Sequence, residues 1–77
     1  MSLARELVLL HARLVGEAAE AERLSRRPGP HAAMEAEAAR NTRASADALA
    51  AIIAERFPDV TIPDARQLSL LADGGAP

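Results

Sequence analysis

Seventy-seven residues with a formal charge of −2 and no cysteine allow one domain, exclude disulfides and thiolate metal sites, and bury too little surface to dispense with a partner. The two histidines, His11 and His31, make no zinc site unless carboxylates complete it. Charges of both signs are interspersed, which excludes the strong basic field that nucleic acid or anionic lipid requires, and no apolar run approaches the length of a membrane span.

The first helix is expected from about Ser2 to Arg27. Ser2 caps its first turn, Glu6 suits the positive end of the helix dipole, and Arg26 and Arg27 suit the negative end. Glu22 and Arg26 stand in the favourable i,i+4 order. Pro28-Gly29-Pro30 stops the helix. The second is expected from about Pro30 or His31 to Phe57, with Glu35 and Glu37 placed early and Pro58 at its end. Each runs to about 26 residues, roughly 39 Å at 1.5 Å per residue. Equal lengths and a short turn imply an antiparallel hairpin.

Beyond Asp59 the character changes. Val60-Thr61-Ile62 is short and extended in type, Pro63 interrupts it, and Gly74-Gly75-Ala76-Pro77 is a loose end. Residues 1–58 therefore read as a helical-hairpin oligomerisation domain and 59–77 as a C-terminal tail, with room for a short helix near 64–72. Met1 to Leu10 lacks the basic and then long apolar pattern of an export signal, so a cytoplasmic location is expected. All nine basic residues are arginine, which reads as the codon bias of a GC-rich genome and fits a small bacterial protein.

Nineteen alanines and one aromatic residue, Phe57, make the apolar content high in number and poor in volume. At about 100° per residue, Leu3, Leu7, Leu10, Leu14 and Ala21 share one stripe of the first helix, and Ala4, Val8, Val15 and Ala19 extend it to an arc of roughly 200°. Met34, Ala38, Ala46, Leu49, Ile52, Ile53 and Phe57 share a comparable arc of the second, opposite Glu37, Arg40, Arg43, Asp47 and Glu55. That is about twice the surface one neighbouring helix covers. A lone hairpin leaves half of it wet, so two hairpins are expected to join in a four-helix bundle. The dimer or core interface then takes in Leu3, Leu7, Val8, Leu10, His11, Leu14, Val15, Leu49, Ile52, Ile53 and Phe57. The bulky residues gather away from the turn and alanines dominate near it, which makes the turn end the looser one.

Few residues offer chemistry. His11 sits mid-arc, where it is either an interface histidine bonded to a neighbouring helix or a phosphorelay histidine, a role that needs an exposed imidazole. His31 and Glu35 are one turn apart, but the Glu-x-x-His repeat of di-iron bundles is absent. No serine, histidine and acid arrangement and no Gly-rich phosphate loop occurs. Neither catalytic residues nor a metal or other cofactor are expected. Asn41, Thr42 and Ser45 lie on the apolar side of the second helix, either as small packing residues or as a polar layer that fixes register. Arg23, Arg26, Arg27, Arg40 and Arg43 gather toward the turn, but Glu20, Glu22, Glu35 and Glu37 accompany them and no aromatic side chain is there to stack on bases.

The tail carries Gln67-Leu68-Ser69-Leu70-Leu71. These five residues resemble the peptide with which bacterial replication and repair proteins bind the DNA sliding clamp, whose usual form is glutamine, leucine, serine or aspartate, leucine, phenylalanine. Leu71 departs from the usual last residue. The resemblance implies that Gln67 bonds at a pocket rim while the leucines fill an apolar cleft. The plainer reading has Leu68 and Leu71 fold back over the hairpin's open end. The expected function is a non-catalytic oligomerisation or protein-interaction module, homodimeric and holding another protein. A clamp-tethered replication or repair accessory and a small dimeric nucleic-acid regulator are the alternatives.

Overall fold

A computed structural model describes residues 2–63, and they form an all-α hairpin: α1 (Leu3–Ser25) packs against α2 (Ala32–Arg56). The Gln67–Leu71 peptide and the expected helix near 64–72 lie outside the described residues.

Ser2 starts α1 as its sequence position implies. Its backbone is extended, and its hydroxyl accepts from the Arg5 N–H at 3.4 Å. Both helices are slightly shorter than expected. At the end of α1 the Arg26 and Arg27 N–H groups reach back only three residues, to the carbonyls of Arg23 and Leu24, a 3₁₀-type closure that tightens the last turn before Pro28. Gly29 has φ +150°, a backbone conformation that a side chain would strain. Pro30 and His31 precede α2, whose first bond runs from the Glu35 N–H to the His31 carbonyl at 2.9 Å. Phe57 closes α2 by donating to Ile53 at 2.7 Å, and the Val60 N–H returns to the Phe57 carbonyl around Pro58.

Two lines of residues make the seam. On α1 these are Ala4, Leu7, His11, Leu14, Ala18, Ala21 and Ser25, and on α2 Ala32, Glu35, Ala39, Thr42, Ala46, Leu49 and Ile53. Every one is buried or half-buried. The steps alternate between three and four, the period at which two helices keep one stripe in contact. The innermost positions are almost all alanine: Ala18, Ala21, Ala39 and Ala46 are buried, and Ile53 is the one large side chain buried completely among the described residues.

Methyl groups let helix backbones approach closely, but each methyl buried gains only about 0.8 kcal/mol. Such a seam has no slack for growth. Ala18→Leu and Ala46→Leu should each cost about 1–3 kcal/mol by overpacking, whereas Ala44→Leu, at an exposed position, should stay within about 0.5 kcal/mol of the parent. Urea denaturation midpoints of the three variants check this.

Candidate functional site

The seam occupies the middle of the apolar arc on α1 and one side of it on α2, so flanks of both arcs are left out of the hairpin. Of the side chains expected in a core or interface, His11 and Ile53 are buried and Leu7, Val8, Leu14, Val15, Leu49 and Phe57 are half-buried. Leu3 is 63% exposed, Leu10 43% and Ile52 51%. Met34, on the same arc of α2, is 59% exposed. Leu9 is also exposed, on the side of α1 directly away from the seam, and periodicity alone gave it no role.

An ion pair fixes which flank belongs to which face. The Glu22 carboxylate oxygen Oε1 accepts a hydrogen bond from Arg43 Nε at 2.8 Å and lies 2.7 Å from Nη2 in the same ion pair, joining α1 to α2. Glu22 therefore does not rely on Arg26, the partner that its i,i+4 spacing implied: the neighbouring helix brings a guanidinium that can offer two N–H groups at once. Arg43 stands about 60° to one side of the Ala39–Ala46–Ile53 line, and Met34 and Ile52 about 120° to the other, at 100° per residue. On α1, Glu22 likewise lies on the opposite side of the His11–Ala18 line from Leu3 and Leu10. The hairpin thus has one face bridged by charge and one face on which Leu3, Leu10, Met34 and Ile52 are all exposed.

The remaining charges are mostly local. Arg13 and Glu17 pair at 3.4 Å, and Glu20 binds Arg23 one turn on. The hydrogen bond from Arg23, helped by the charges of Arg23 and Arg27, holds the Glu20 carboxyl below the usual carboxylate range. A lowered folded-state pKa gives stability that is present above the unfolded value and lost as pH falls through the folded one. This pair lies fully in solvent, so it decorates the surface rather than building a site. The arginines near the turn are accordingly divided, with Arg23 and Arg43 held by carboxylates.

His11 is 8% exposed, and its Nδ1 has no hydrogen-bond partner among the described residues. A phosphoryl acceptor has to present its imidazole to a partner protein, which His11 does not do in this hairpin. His31 is exposed and makes no side-chain cap bond to α2. Among the described residues, no group of three or more His, Cys, Asp or Glu side chains is placed to hold a metal ion. Ser45 donates to the Asn41 carbonyl at 3.1 Å; both residues are exposed, and Thr42 is half-buried. No helix of the described residues is long and apolar enough to cross a membrane.

No family model, no curated protein and no solved structure matches the chain.

Leaving a buried polar nitrogen without a partner costs about 1–3 kcal/mol. His11→Leu should therefore raise the unfolding free energy by about 1 kcal/mol or more, read from denaturant titration. A fall instead would mean that Nδ1 is hydrogen-bonded in the native protein.

Proposed function

We propose that this chain is a non-catalytic helix-association module: two copies join through their open faces in a four-helix bundle, which then holds another macromolecule as an adaptor or regulator. The observation that carries this reading is the gathering of Leu3, Leu10, Met34 and Ile52, all exposed, on one face of the hairpin. Monomeric proteins rarely leave large apolar patches in water. Among the described residues, His11 lies inside the seam, and Glu17, Glu20 and Glu22 are each paired to an arginine. Sedimentation of the full chain at low micromolar concentration should give twice the chain mass. A compact single-copy species would overturn the proposal.

A second reading rests on the tail alone. Gln67 to Leu71 resembles the sliding-clamp peptide, which would make the bundle a tethered replication or repair accessory. A synthetic peptide spanning these residues should bind a bacterial clamp, and Gln67→Ala with Leu70→Ala should abolish binding. Absence of binding at high micromolar peptide ends this reading.

A further inference from the structure

On α2, Met34, Ala38, Asn41, Ser45, Ala48 and Ile52 follow one another at steps of four, three, four, three and four, and all six are exposed. That spacing is a second helix-packing line, separate from the one that meets α1. No charge lies on the line itself; Glu37 and Glu55 stand about 60° to one side, and Arg56, the last residue of the helix, about 40° to the other. The line also reads alike in both directions: large, small, polar, polar, small, large.

A stripe that is its own reverse is what a two-fold contact between antiparallel copies requires, because there residue i meets j while j meets i. We infer that α2 packs antiparallel on α2 of a second copy, with the two-fold axis level with Arg43. In that register Met34 meets Ile52 of the partner subunit, Ala38 meets Ala48 of the partner subunit, and Asn41 meets Ser45 of the partner subunit.

The chemistry of the central pair supports the register. The Asn41 amide makes no hydrogen bond among the described residues, and burying it unbonded against an apolar surface would be costly. A serine hydroxyl opposite both donates and accepts, so two equivalent Asn–Ser bonds form across the axis. Shifting the copies by one turn sets Asn41 against Ala48 of the partner subunit in one direction, and in the other sets it against Asn41 of the partner subunit while carrying Ile52 past the start of the facing helix, so the polar centre and the large ends fix alignment together.

The occupant is a second copy of this chain, because the line complements its own reverse. This inference rests on the self-association reading above, and the experiment separates the two.

The full chain contains no cysteine, so an introduced thiol is the only one present. Ala38→Cys and Ala48→Cys, both at exposed positions, are purified separately, mixed under reducing conditions to exchange subunits, and then oxidised. The expected product is a disulfide-linked dimer with one copy of each variant, at several-fold higher yield than either variant forms alone. Equal yields, or no mixed product although the native chain sediments as a dimer, would overturn this register and leave self-association standing. A native chain that sediments as a single copy would overturn both, as happens if residues 64–77 or a different protein covers the stripe.

Discussion

Alanine at the inner positions of both helices governs the molecule. Ala18, Ala21, Ala39 and Ala46 bring α1 and α2 together along a narrow line that takes in only Leu7, Leu14, Leu49 and Ile53 of the larger aliphatic side chains. Leu3, Leu10, Met34 and Ile52 are left on the flanks, where they stay exposed. The close contact that shapes the hairpin is thus the reason its apolar face is unfinished. With Ile53 the one large side chain fully enclosed among the described residues, the gain from the seam is small against the cost of ordering some fifty residues at about 1–2 kcal/mol each.

The two faces of the hairpin differ in kind. The Glu22–Arg43 bridge joins the helices on one face, half in solvent, where such a pair contributes at most about 1 kcal/mol to stability. Its greater use is negative: charges held on this side disfavour burial of that face. The opposite face carries Leu3, Leu10, Met34 and Ile52, all exposed, together with the exposed Arg13–Glu17 pair, which stays in water at its margin.

Much of this was legible in the residues. Ser2, the Pro28-Gly29-Pro30 turn and Pro58 mark both helices to within a few positions, because capping and proline act locally. The excess width of both apolar arcs was also legible, as was the central place of His11. Which part of a 200° arc meets the neighbouring helix was not, since periodicity measures how wide a surface is and not where contact falls. Leu3 and Leu10 share a stripe with Leu7 and Leu14, yet only the latter two lie against the seam. Glu22 shows the same limit: spacing along one helix named Arg26, while tertiary packing supplied Arg43. The self-complementary line of α2 became visible once Ala39, Ala46 and Ile53 were known to point elsewhere.

If stability comes from joining two incomplete hairpins, folding and association are one equilibrium, and mass action makes the unfolding temperature depend on how much protein is present. The direct measurement is thermal unfolding of the full chain, followed by helical circular dichroism, over roughly a hundredfold range of concentration. The account requires a midpoint that climbs steadily with concentration. A midpoint that stays constant across that range, with full helical signal at the most dilute point, would contradict it.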